Sequence, residues 1–204
     1  MRTNRLLGGS VRDFINNNKR LILYLTFLLV GTFFGIFIYI SSKSYLQQEL
    51  SKMVVIRALT GGLQEVLSTL LSSCLSVLVL LLILFMFGLS VYAAPVTFFV
   101  PVFFGLGLGM TEAFYYAMGT HGILTTLVLV IPRNLIAATA LIMACSESLR
   151  FSLLLSNQIL PTGERKELWN DFKLYCTRFL LFLGISLASG AVDICCRLLF
   201  GFLI

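Results

Sequence analysis

Long apolar stretches separated by short polar breaks alternate along this chain. Residues 21–42 carry no charge, and 22 residues suffice to cross a hydrocarbon core of about 30 Å as a helix. From Val66 to Thr111 there are 46 residues without a Lys, Arg, Asp or Glu, about twice what one span needs. This run predicts two helices, over 66–88 and 93–111. They are joined by a tight turn between Gly88 and Pro95, because a residue that precedes proline avoids the helical region. Residues 122–146 and 174–200 supply two more spans. The pattern therefore predicts an all-α polytopic transmembrane bundle of about five spans in one membrane domain. A sixth arises if Ala113–Pro132, an uncharged run of 20 residues, crosses by itself.

The polar breaks have characters of their own. Residues 1–20 form a basic arm with Arg2, Arg5, Arg12, Lys19 and Arg20 against the single acid Asp13. Residues 43–65 place Leu46, Leu50, Met53, Val54 and Leu59 at near-helical spacing among Gln47, Gln48, Lys52 and Arg57, and Gly61-Gly62 ends that pattern. An amphipathic segment on the membrane surface fits. Residues 147–173 are the other polar segment, with Pro161-Thr162-Gly163 as a turn and Trp169 as an interfacial anchor. With five spans, the arm and the segment after Ser146 share one side and hold ten basic residues. The other side has Lys43, Lys52, Arg57 and Arg197. Ten against four favours a cytoplasmic N-terminus and an outward 43–65.

Composition narrows the medium to lipid. The chain is 58% hydrophobic and only 12% charged, against about 25% charged in soluble domains. Its net charge of +6 sits beside hydrophobic segments rather than on a basic surface with interleaved aromatics, so no nucleic acid is expected as a partner. The five cysteines lie in or beside apolar runs and read as small buried hydrophobes. The polar arm before Leu21 and the length of the first apolar run do not fit a cleavable signal peptide.

The middle of the chain holds the exceptions. Pro101 falls inside a predicted helix and frees the carbonyl of Thr97. Gly105, Gly107 and Gly109 bare one stretch of that helix, and Gly31 with Gly35 form a second small-residue seam. Pro132 breaks the ladder to Val128, biases Ile131 towards an extended shape, and predicts a kinked or broken helix that Asn134 caps. Arg133 beside it falls near the centre of the 122–146 span, where an arginine costs about 2.5–3.5 kcal/mol on insertion scales. There it should face the bundle or a wet cavity, with Glu112 as the candidate intramembrane partner, whereas it lies at an interface if Ala113–Pro132 crosses by itself. Asp193 and Arg197, four residues apart, are expected to pair with each other. His121, alone in a Gly-Thr-His-Gly turn, is a poor metal ligand.

Order and spacing of these features carry a resemblance. Pro95 followed by Phe103, Phe104, Gly105 and Gly109, then the Gly119-x-x-Gly122 turn, then Ile131-Pro132-x-Asn134-Leu135, resemble the stage II sporulation protein M family of small bacterial membrane proteins. Arg133 departs from that pattern, which usually has a neutral polar residue there. The resemblance implies a scaffold in the septal and engulfing membranes of the developing endospore. It implies as partners the stage II sporulation proteins D and P, which degrade peptidoglycan. The residues themselves offer no phosphate loop, no zinc helix and no nucleophile elbow. Neither enzymatic activity nor a cofactor is expected, and membrane lipid is the one partner that composition alone implies. A permease subunit or small transporter is the alternative, since broken helices and intramembrane charge serve such proteins too.

Overall fold

The structure is a computed structural model that describes residues 19–42, 63–90, 93–159 and 168–203. Most of the basic arm (1–18), most of the amphipathic segment (43–62) and the Pro161-Thr162-Gly163 turn lie outside the described residues. In chain order the elements are α1 (Lys19–Ser41), α2 (Leu63–Gly88), α3 (Ala93–Ala117), α4 (Thr120–Thr125), a π-helical turn (Thr126–Val130), α5 (Ile131–Ile159) and α6 (Leu168–Leu203). No strand occurs among the described residues. Among them, α1, α3, Ile131–Ser156 and Trp169–Cys196 are long and apolar enough to cross a membrane, and α2 adds the shorter apolar stretch Cys74–Gly88. Large side chains cover the outside: Phe33 is 71% exposed and Phe99 72%. Such a surface has hydrocarbon as its natural solvent.

The tightest seam joins α1 to α3, and it is parallel. The ring of Tyr24 lies 5.6 Å from that of Phe98, and Tyr39 lies 6.5 Å from Phe114, so both helices advance together. Along α3 the buried positions Ala93, Thr97, Pro101, Gly105, Gly109 and Ala113 recur every four residues and are all small or ring-closed. A stripe of that kind lets two backbones meet without side chains between them. Gly31 and Gly35 on α1 face the carbonyls of Val102 and Leu106. In return, Gly105 and Gly109 face the carbonyls of Leu28 and Thr32. Each glycine is thus seated on the main chain of the other helix.

A second assembly closes one end of the bundle. The Oγ of Ser148 donates to the Leu84 carbonyl (2.9 Å), that of Ser152 to Ser90 (2.8 Å), and the Oη of Tyr175 to Phe85 (3.0 Å). Carbonyls at the end of α2 thereby find donors on α5 and α6 in a medium where an unmet one costs several kcal/mol. The Tyr175 ring lies 4.5 Å from Phe151 and 5.3 Å from Phe85. Beside it, Glu147 accepts from Arg178 (2.6 Å) and Arg150 (3.3 Å). α5 continues to Ile159, and this paired cluster sits within its length. Trp169 is exposed, and the Lys173 ammonium lies 5.4 Å from its ring centre.

Prolines are absorbed rather than allowed to break the bundle. Pro95 is the third residue of α3, in the first turn, where its missing N–H has no helical acceptor to lose. Pro101 is buried inside α3, and the Thr97 hydroxyl turns to Ala94 (2.8 Å) instead of serving its own freed carbonyl. Before Pro132 the helix widens into the π turn, which resets the hydrogen-bond register where a donor is missing. Ile131 therefore stays helical, contrary to the extended shape its proline neighbour suggested.

Candidate functional site

Although only residues 89–92 separate α2 from α3, a cavity of about 590 Å³ opens between these helices away from that connection. Its walls are Leu75, Ser76 and Val79 on α2 and Phe103, Gly107 and Thr111 on α3. Its floor comes from elements far away in sequence: Arg133 and Asn134 at the start of α5, and Asp193 on α6. Ser76 is 12 residues from Gly88, about 18 Å along the helix axis, so this part of the cavity lies well inside the length of α2.

The electrostatics centre on one ion pair. Arg133 Nη1 lies 3.5 Å from Asp193 Oδ2, with side-chain exposures of 17% and 3%. Apolar neighbours make either charge alone untenable, so the pair stands as a unit. This corrects the expected partnership: Arg133 is matched by Asp193 and not by Glu112. Glu112 sits half-buried near the end of α3 and has no ion-pair partner among the described residues. The physical reason is register, because α6 runs back past the first turn of α5 and brings its carboxylate to the guanidinium. The pairing of Asp193 with Arg197 lies outside the described residues, because the Arg197 side chain does. The signal that would have found the pair is the scarcity of charge itself, since an arginine in an apolar span has few carboxylates to choose from.

The other expected residues fall into three places. Pro101, Gly105 and Gly109 belong to the α1–α3 seam, and Pro95 opens α3. Gly119 and Gly122 form the α3–α4 corner. Gly119 has φ 79°, which side-chain-bearing residues rarely adopt, and a Cβ on Gly122 would meet the Tyr115 carbonyl. Gly119→Ala is expected to lower stability by about 1–2 kcal/mol, read as an earlier midpoint in detergent-denaturation curves. Pro132 follows the π turn, whose first residue Thr126 is buried and donates from its Oγ1 to Gly122 (2.9 Å). Asn134 lines the cavity and makes no capping bond among the described residues. The structure therefore brings Arg133 and Asn134 together with Asp193 and separates them from the glycines.

Among the described residues no cluster of His, Cys, Asp and Glu has the arrangement of a metal site. The site offers one buried dipolar pair, a free-standing amide and an apolar mouth.

The family model described as Stage II sporulation protein M matches residues 24–192, a stretch that contains most of α1, all of α3, the cavity floor as far as Arg133 and Asn134, and most of α6. No curated protein and no solved structure matches the chain. The match covers well over half of the 204 residues and spans the glycine seam and the proline-absorbing turn alike. A multi-pass helical membrane protein connected with sporulation, this chain belongs to the stage II sporulation protein M family.

Proposed function

We propose that this protein is a non-enzymatic membrane scaffold that recruits and anchors peptidoglycan-degrading partners during endospore engulfment. Stage II sporulation proteins D and P are the candidates, and the septal or engulfing membrane is the location. The observation that carries this reading is the family match over 24–192, on a molecule whose described part is almost entirely helix. Helix faces such as that of Phe33, Phe37 and Ile40 on α1, each at least 67% exposed, are what it has to offer a single-span partner. Lys19, Arg20, Arg150, Lys173 and Arg178 gather at the end where α1 begins, which supports a cytoplasmic assignment for that end.

Purification of the tagged full chain from sporulating cells in mild detergent, followed by mass spectrometry, tests the reading. A membrane-anchored peptidoglycan hydrolase is expected to co-purify. Recovery of the scaffold without any hydrolase, together with normal engulfment in a deletion strain, would refute it. The cavity and its ion pair favour one second reading, a permease subunit, and a stoichiometric ATPase in the same eluate would select it.

A further inference from the structure

At the closed end of the bundle one carboxylate serves two cations. Glu147 Oε1 accepts from Nη1 of Arg178 at 2.6 Å and lies 3.3 Å from Nη1 of Arg150, and neither arginine has a second carboxylate partner among the described residues. A glutamate brings one negative charge and each guanidinium one positive, so the cluster keeps a surplus of one positive charge. The glutamate is nearly covered, at 13% exposure, whereas Arg150 and Arg178 are 44% and 37% exposed. Donors on both guanidinium groups therefore stay within reach of a ligand from outside. Hydrogen bonds fix the depth. Ser148, next to Glu147, donates to the Leu84 carbonyl, and Ser152, two residues after Arg150, donates to that of Ser90. The cluster thus lies level with the last turn of α2 and its connection to α3, where apolar helix gives way to a turn. On the side away from that connection the same two helix faces are apolar. Leu181 follows Arg178 by one turn and is 63% exposed, and Met143 precedes Arg150 by two turns and is 45% exposed.

We propose that Arg150 and Arg178 bind the phosphate of an anionic phospholipid of the phosphatidylglycerol kind, with an acyl chain laid along Leu181 and Met143. Charge selects the headgroup. A phosphodiester carries the one negative charge that balances the surplus, and guanidinium groups suit phosphate oxygens in both charge and geometry. A zwitterionic headgroup would bring an ammonium as well, for which the cluster has no carboxylate to spare. The next acid on α6, Asp171, lies about two helical turns farther out than Arg178. The apolar faces select a lipid over a soluble phosphate or an acidic protein segment, since either of those would leave Leu181 and Met143 uncovered. Glu147 acts here as a positioning residue that holds the two guanidinium groups side by side and sets how much charge they keep. The proposal stands apart from the scaffold reading, because it uses only this end of α5 and α6.

The test uses the purified full chain in phosphatidylcholine nanodiscs doped with phosphatidylglycerol that carries a photoactivatable group in one acyl chain. After illumination, peptides from 143–150 and 174–181 are expected to carry about fivefold more label than the α1 face around Phe33, the ratio that about 1 kcal/mol for one surplus basic charge gives. Unlabelled phosphatidylglycerol should compete, whereas phosphatidylethanolamine with the same chains and the water-soluble headgroup glycerophosphoglycerol should not. Two variants should move the label in opposite directions. Arg150→Gln, at the more exposed arginine, removes the surplus and should bring the label down to the α1 level. Glu147→Gln doubles the surplus and should raise the label above that of the unaltered chain. A cluster that merely braced α5 against α6 would alter stability in these variants and leave the labelling ratio unmoved. Even labelling of all lipid-facing helices, competition by phosphatidylethanolamine or by the free headgroup, undiminished label in folded Arg150→Gln, or a fall in folded Glu147→Gln would overturn the assignment. A photocrosslinker placed at residue 174 that captured an acidic protein instead of lipid in cells would do the same.

Discussion

Gly105→Leu is expected to abolish the α1–α3 seam and leave little folded protein in the membrane. The first new atom would land on the carbonyl oxygen of Leu28, with the Thr32 nitrogen 3.0 Å away, and both belong to main chain that cannot rotate aside. Overpacking in well-packed cores costs about 1–3 kcal/mol when side chains can move, and here none is available to do so. A loss of about 3 kcal/mol or more is the expected result, measured as unfolding in a graded denaturing detergent. Gly107→Leu, two residues away, is the internal control, because open space surrounds that position. Equal losses from the two variants would show that the backbone approach at Gly105 does not set the effect.

Asp193→Leu is expected to be nearly as damaging, for an electrostatic reason. It removes the carboxylate that lies 3.5 Å from Arg133 and leaves a guanidinium in apolar surroundings. Breaking one side of a buried pair costs about 3–5 kcal/mol, whereas replacing both partners by apolar residues is often neutral. Arg133→Met combined with Asp193→Leu should therefore recover most of the stability that Asp193→Leu loses. Exchanging the two charges, Arg133→Asp with Asp193→Arg, should recover part of it. The same exchange between Arg133 and Glu112 should recover nothing. Folded yield in mild detergent reads all of these, and rescue by the Glu112 exchange would overturn the geometry.

These two cases show what a sequence can and cannot disclose about this fold. The spans were legible because lipid imposes a one-body rule: an uncharged run of a given length must cross. Gly31, Gly35, Gly105 and Gly109 were legible as places of close approach, since nothing else bares a helix. That they seat on one another is a relation between residues some 74 positions apart. Only the fold sets such a relation, as it does that of Arg133 with Asp193. Chain proximity favoured Glu112 as the partner of Arg133, and packing supplied Asp193 instead. Pro132 announced an interruption, but not that a π turn would carry the helix through it. Glu147 opens a polar segment in the sequence, yet the helix that begins at Ile131 runs on through it to Ile159. Paired with Arg150 and Arg178, Glu147 is compatible with the last turns of a longer helix.

The parallel course of α1 and α3 bears on biogenesis. Two helices that point the same way cannot meet as a hairpin, so α1 must wait in the bilayer while α2 brings the nascent polypeptide back across. During that interval its glycine groove is open to any other helix with a bare flank. A ribosome stalled after Gly88 would expose a strip suited to a second copy of itself, and arrival of α3 is the event that retires this competitor.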